Sequence, residues 1–208
     1  KICLQASASM TSGQIIIKGA FDLLLALVGL ALAMPIIILG WVIASIETNS
    51  NGFFLQKRVG KNGQIFTLVK IKTMKPVLGI NTHVTQKNDA RITISGDFFR
   101  KTKIDELPQL WNVLIGQMSF VGPRPDVKGY ADKLQGKDKM ILSVRPGITG
   151  PASLKYKNEE VLLAKQANPE QYNNEVIWPD KVKINVNYVK NWSFSQDLLY
   201  IYQTIISI

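Results

Sequence analysis

Leu23-Leu24-Leu25-Ala26-Leu27-Val28-Gly29-Leu30-Ala31-Leu32-Ala33-Met34-Pro35-Ile36-Ile37-Ile38-Leu39-Gly40-Trp41-Val42-Ile43-Ala44-Ser45-Ile46 runs for 24 residues without a formal charge. Fourteen of these are Leu, Ile or Val. At roughly −0.3 to −0.6 kcal/mol each in a bilayer-inserted helix, they favour a membrane by something on the order of 6 kcal/mol. The run is too long for the apolar core of a secretory signal, and no cleavage pattern follows it. As a straight helix it would measure about 36 Å, enough for a hydrocarbon core of roughly 30 Å. Pro35 stands almost at its midpoint, where it removes a backbone donor and kinks or breaks a helix. Two readings follow. One is a kinked helix that spans the membrane. The other is a helix-break-helix hairpin whose halves, Leu23–Met34 and Ile36–Ile46, enter and leave on one face. The residues alone leave both open.

Outward from this segment the chain divides in three. Residues 1–14 read as a tag remnant or disordered N-terminus, since Lys1–Ser9 has no periodicity and Met10 looks close to a natural start. Residues 15–48 hold the membrane segment, a hairpin broken at Pro35 in the second of those readings, and 49–208 a single compact domain. The 208 residues carry a formal charge of +10, all of it beyond residue 56, where 23 basic side chains face 13 acidic ones. Such a surface suits anionic headgroups, phosphate-bearing substrates or nucleic acid, and charge alone does not choose. With one cysteine, Cys3, and one histidine, His83, the chain has no disulfide framework, no Cys/His zinc site and no Cys–His dyad. Its chemistry must come from carboxylates, Lys and Arg, hydroxyls and a borrowed metal.

Within the domain, Phe53-Phe54-Leu55-Gln56 and Ile65–Met74 predict two strands joined by a turn at Gly60-Lys61-Asn62-Gly63. By the period of two, Phe66, Leu68, Lys70 and Lys72 share a face. Residues 75–96 look like a loop. From Leu107 the apolar positions 107, 110, 111 and 114 mark one buried helical face, with Pro108 in its first turn and Gly116 to end it. Asp105 and Glu106 then fall at the helix start, where a helix cap is the simpler role for Asp105. Their company favours more than a cap. Arg100 lies five residues upstream, Arg124 is bracketed in Gly122-Pro123-Arg124-Pro125, and Arg145-Pro146-Gly147-Ile148-Thr149-Gly150 repeats the device. Adjacent acids with fixed cations suggest a metal–diphosphate site. Further helices are expected from Asn158 to before Pro169, from Pro179 to Lys190, and from Ser195 with a wide apolar face.

Lys72-Thr73-Met74, Asp105-Glu106-Leu107-Pro108-Gln109, Gly122-Pro123-Arg124-Pro125 and Arg145-Pro146-Gly147-Ile148-Thr149-Gly150 stand in that order behind an apolar segment with a central proline. Together they resemble the bacterial sugar transferase family, in its small monotopic form that consists of the catalytic domain alone. The resemblance covers about residues 15–208. It implies an α+β, mostly helical membrane-associated domain with a small sheet, a re-entrant hairpin with Met34 and Pro35 at its apex, and amphipathic interfacial helices. It further implies transfer of a phosphosugar from a UDP-sugar to undecaprenyl phosphate with release of UMP, the first membrane step of a polysaccharide or glycoconjugate pathway. Asp105 would be the nucleophile and Glu106 a catalytic partner, the pair holding Mg²⁺. Arg100, Arg124, Lys72 and Arg145 would bind substrate phosphates. The expected setting is the cytoplasmic face of the bacterial inner membrane, with membrane lipids as partners, a homodimer as a further assembly and no nucleic acid. Two readings of other classes stay open at this point: a membrane-anchored basic binding module, and a family member that has become an inactive scaffold. In this sequence Met34 stands where many members have serine, and Pro151–Tyr156 departs from the family pattern in a region linked to sugar choice.

Overall fold

A computed structural model describes residues 10–76 and 89–207, so expectations that fall on residues 1–9 and on His83 lie outside the described residues. The first element, α1 (Ser12–Thr48), contains 37 residues. Thr11 and Gln14 close a reciprocal capping box at its start, and Asn49 ends it in the left-handed conformation with φ 47°. A hairpin follows, β1 (Phe53–Val59) paired antiparallel with β2 (Ile65–Ile71), Phe53 opposite Ile71 and Val59 opposite Ile65. Next come α2 (Ile94–Lys101), a tight turn at Ile104–Glu106 and α3 (Gln109–Leu114). Two short strands, β3 (Ser119–Val121) and β4 (Gly147–Thr149), pair in parallel. The chain finishes with α4 (Pro151–Lys155), α5 (Glu159–Leu163), α6 (Pro169–Tyr172), a π-turn at Asn173–Ile177, α7 (Trp178–Lys190) and α8 (Phe194–Ile206). The architecture is α+β, mostly helical with small sheets, as the sequence suggested.

The expected break at Pro35 is corrected by the structure: α1 continues through it as one helical element. Proline there deprives the Ala31 carbonyl of its helical donor, a cost of about 3 kcal/mol. Its neighbours supply the compensation, because Ala33 and Ile37 pack on Leu110 from α3 and hold the helix on either side of the defect. The buried positions of α1 are Lys18, Asp22, Ala26, Ala33, Ile37, Gly40 and Ala44, a stripe at three-, four- and seven-residue spacing along its whole length. Ala26 meets Phe66, Leu68, Val113 and Met118, while Ala44 meets Ile71 and Phe99. Gly40 is needed for this approach, since a Cβ there would lie 2.7 Å from Ile71 Cδ1.

Polar contacts fasten both ends of α1 to the same body. Near the start, Lys18 Nζ donates to Asp197 Oδ2 at 2.5 Å, and Asp22 Oδ1 accepts from the Phe120 amide at 3.0 Å. Asp197 also accepts from Tyr188 Oη and Trp192 Nε1, so this buried acid joins α1, α7 and α8. Near the end, Glu47 accepts from Ser95, and Trp41 Nε1 donates to Asn51 Oδ1. The remaining faces of α1 are bare: Leu23, Leu24, Leu27, Val28, Leu32, Met34, Ile36, Ile38 and Leu39 are all exposed. The helix is long and apolar enough to cross a membrane, with a mean hydropathy of 2.7 over its most apolar window. On α8, Leu198, Leu199, Tyr202, Ile205 and Ile206 also point outward.

Candidate active site

Asp105 and Glu106 occupy the turn between α2 and α3. Lys103, at φ 58°, reverses the chain out of α2, and Ile104 packs with Ala44, Ile71 and Phe99. Pro108 sits immediately before α3, and Gly116, at φ 77°, ends that helical stretch. The acids therefore lie one turn ahead of α3 rather than inside its first turn. Asn112 fixes α3 to the hairpin. It is 1% exposed; its Oδ1 accepts from Val69 N at 3.1 Å, and its Nδ2 donates to Thr67 O and Gln117 Oε1, both at 2.8 Å. That clamp registers β2 against the Asp-Glu turn.

The register brings Lys70 to the site. Lys70 Nζ donates to Glu106 Oε1 at 2.8 Å, and Arg124 Nη2 donates to the same oxygen at 2.6 Å. Burial alone would favour the neutral form of Glu106, but Arg124 and Lys70 outweigh it and hold the carboxyl well below the usual carboxylate range. Glu106 in turn raises Arg124. Asp105 differs. It is 7% exposed, and its Oδ1 is buried without a hydrogen-bond partner. Burial pushes its carboxyl up, the charge of Lys70 opposes this, and Glu106 adds to it. Two adjacent carboxylates thus have separate conditions, one neutralised by cations and one held bare.

Among the cations expected at the site, Arg124 is there. It sits on a turn held by backbone bonds on both sides: Gly147 N to Pro123 O at 2.9 Å and Val59 N to Asp126 O at 2.9 Å. Arg58 Nη1 adds a bond to Pro125 O at 3.0 Å. Gly122 and Gly147 allow the two proline-bracketed arginine segments to touch through their backbones, since a Cβ on Gly147 would fall 2.1 Å from Gly122 N. The parallel pairing then sends the arginines to opposite ends, because Arg124 follows β3 whereas Arg145 precedes β4. Arg145 lies against Gly19 of α1 and Gly116. It is not brought to the acids.

Arg100, at the last turn of α2, is within electrostatic reach of Asp105 and ion-pairs with Glu160 of α5. Lys72 has moved off the site, its Nζ donating to Ser50 Oγ at 2.7 Å. The Lys72-Thr73-Met74 segment instead docks α2. Thr93 N donates to Thr73 O at 3.0 Å, Met74 bridges Ile92, and a Cβ on Gly96 would lie 2.3 Å from Thr73 O. Met34 and Pro35 lie within α1, Met34 being exposed. Sequence reading missed Lys70, although the alternation of β2 had placed it on the same face as Lys72. Asp126, beside Arg124, was also missed; burial pushes its carboxyl up to about 7 against the charges of Lys181, Arg58 and Arg124.

Among the described residues, no three His, Cys, Asp or Glu side chains converge. Mg²⁺ needs no such cage, because it is commonly held by one or two carboxylates, water and substrate phosphates. The Asp105 carboxylate, which no other side chain neutralises by a hydrogen bond, stands next to Glu106, and the pair fits that kind of binding.

This arrangement, an acid pair beside fixed cations on a domain with a long apolar helix, coincides with a family assignment: the chain belongs to the bacterial sugar transferases, whose family model matches residues 13–208. It is 42% identical over 128 residues to a Bacillus subtilis protein provisionally named an undecaprenyl-phosphate N-acetylgalactosaminyl 1-phosphate transferase, covering 61% of this chain and 72% of the relative. It is 32% identical over 204 residues to the exopolysaccharide production protein ExoY of Rhizobium meliloti, covering 90% and 83%. To the UDP-N-acetylgalactosamine-undecaprenyl-phosphate N-acetylgalactosaminephosphotransferase of Aeromonas hydrophila it is 32% identical over 193 residues, 91% of this chain and 43% of that larger protein.

Proposed function

We propose that the protein transfers a phosphosugar from a UDP-sugar to undecaprenyl phosphate, releasing UMP and giving undecaprenyl-diphosphate-sugar. The observation that carries this reading is the asymmetry of the acid pair: Glu106 is held by Lys70 and Arg124, while Asp105 keeps a buried oxygen free. Family membership and the names of the relatives support the substrate class.

In this reading Asp105 Oδ1 attacks the β-phosphorus of the donor. The bond from that phosphorus to the oxygen bridging the two phosphates breaks, and UMP leaves with the electron pair. An oxygen of undecaprenyl phosphate then attacks the same phosphorus, breaking the acyl-phosphate bond and restoring the carboxylate. Splitting one displacement into two gives ping-pong kinetics. Attack by one anion on another needs positive charge fixed in place, which Arg124, Lys70 and Arg100 supply. Mg²⁺, held by Asp105 or Glu106 with the donor phosphates, would add charge neutralisation there.

The bare faces of α1 and α8 support membrane association, because apolar surface of that extent is otherwise an aggregation liability. With both ends of α1 fastened to one body, the reading favoured here is a monotopic one: α1 stays a single helix seated in the bilayer along the face of the domain, and both its ends remain on the same side. The site then faces the cytoplasm at headgroup depth on the inner membrane, where the acceptor's phosphate lies.

The test is UMP release from a panel of UDP-sugars with undecaprenyl phosphate and Mg²⁺. Metal-dependent release that is lost in Asp105→Asn is the expected result. Undiminished release in the variant would overturn Asp105 as nucleophile, and absence of release across a broad panel with folded protein would favour a non-catalytic scaffold.

A further inference from the structure

Glu160 stands out among the acids around the site. It pairs with Arg100 while its own side chain is 46% exposed. Its neighbour Glu159 pairs with Lys181 of α7 at 2.6 Å in a less open setting. The surrounding segment is strapped to α7 independently of Glu160. Lys155 Nζ and Tyr156 Oη both donate to Asp180 Oδ2 at 2.6 Å, and the Lys155 and Lys181 ammonium groups each lie 5.5 Å from the Tyr156 ring centroid. Leu163 anchors the other end of α5 at 4% exposure. Glu160 can therefore swing into solvent while α4 and α5 stay in place. What it would leave behind is a guanidinium, the group best shaped to take phosphate oxygens in a fork.

We propose that Glu160 is a built-in competitor for Arg100, occupying it until a donor diphosphate displaces the carboxylate. The inference rests on the donor reading given above, in which Arg100 receives a phosphate oxygen. Glu160 is then a positioning residue that sets donor affinity and selectivity. A diphosphate that also engages Arg124 gains enough to evict it. An anion that reaches Arg100 alone exchanges one oxygen acceptor for another and gains little. After transfer, return of Glu160 to Arg100 would help expel UMP.

The experiment is calorimetric titration of UDP into the full chain in detergent micelles. Glu160→Gln is expected to bind UDP about two- to fivefold more tightly than wild type, the range an exposed ion pair commands, and the gain should shrink as salt rises. Glu159→Gln should show no gain. Arg100→Gln should weaken binding, and adding Glu160→Gln to it should restore nothing. In turnover, Glu160→Gln should lower the donor KM without raising kcat. Equal or weaker UDP binding by folded Glu160→Gln, with wild type binding normally, would overturn the competitor role and leave the donor reading intact. Absence of UDP binding by every variant and by wild type would overturn the donor reading itself, and this inference with it.

Discussion

Asp105 and Glu106 are consecutive in the chain, yet Glu106 Oε1 receives two cationic donors while Asp105 Oδ1 receives none. The difference arises from direction. The tight turn at Ile104–Glu106 aims one carboxylate at β2 and the Arg124 turn and leaves the other buried without a partner. A nucleophile needs an available oxygen, and a stabilising anion beside cations needs the reverse, so one turn serves both demands.

This asymmetry predicts opposite pH signatures for two adjacent substitutions. The folded-state pKa of Asp105 is raised from 3.8, so the folded chain keeps this proton longer than the unfolded one. Its contribution to stability therefore falls as pH rises from 3.8 through the raised value. Asp105→Asn removes that loss, and the variant should be at least as stable as wild type at pH about 7. The folded-state pKa of Glu106 is depressed from 4.5, so its contribution is present above 4.5 and disappears as pH falls through the folded value. Glu106→Gln should be less stable at neutral pH, with the difference closing in acid. Thermal melts in detergent across this range would show whether the two differences have opposite slopes.

Lys70 and Lys72 separate a site role from a surface role. Lys70→Met leaves Glu106 with Arg124 alone and is expected to reduce turnover by about 100-fold, the scale of losing one fixed charge at a reacting centre. Lys72→Met removes a contact to Ser50 and should cost less than about tenfold. Steady-state UMP release, with circular dichroism as a folding control, measures both. Equal losses would return Lys72 to the site.

Asn112 tests the clamp between α3 and β2. Asn112→Leu puts an apolar side chain at a buried position and leaves the part-buried Val69 N–H and Thr67 carbonyl without their side-chain partner. A stability loss of about 2–4 kcal/mol is expected, with turnover falling further than the folded fraction as the register of Lys70 loosens. Denaturant melts and activity at a temperature where the variant is fully folded would separate these effects.

Topology has a direct readout. With Cys3 replaced by serine, single cysteines at Gly13 and Asn51 should both react with an impermeant maleimide from the same side of inverted vesicles. Labelling from opposite sides would establish a spanning α1 and would require the contacts at Lys18 or at Glu47 to be broken.

Much of the scaffold was legible in the sequence because its signals are local. Alternation around Phe66 and Leu68 revealed β2, the Pro108–Gly116 bracket revealed α3, and uninterrupted apolarity revealed α1. The β3–β4 pair was not legible, since strands of three residues have no period to read; glycines at 122 and 147 marked the contact without naming the partner. Helix α2 was not expected, and its first three residues fall in the stretch 75–96 read as loop, although Thr93 does cap it by accepting from Gly96 N. Proximities such as Lys70 to Glu106 and Arg100 to Glu160 depend on tertiary register. Charge type told which residues could meet, and only the fold told which did. Around Pro35 the residues left a kink and a break open, because the packing of Ala33 and Ile37 on Leu110 that accompanies a continuous helix has no local signature.

The fastening of α1 bears on how the molecule is made. Lys18 finds Asp197 across 179 residues, and Asp22 finds the Phe120 amide across 98. On a ribosome the apolar helix emerges ahead of these partners, and its two buried charges wait for groups synthesised long afterwards. Until Phe120 and α8 are released, Lys18 and Asp22, one turn apart on α1, have only each other, and a charged pair of that kind disfavours deep insertion. In the membrane reading proposed above, full seating in the lipid would thereby be deferred until α8 is made, when the same contacts that shield those charges also join α1, α7 and α8.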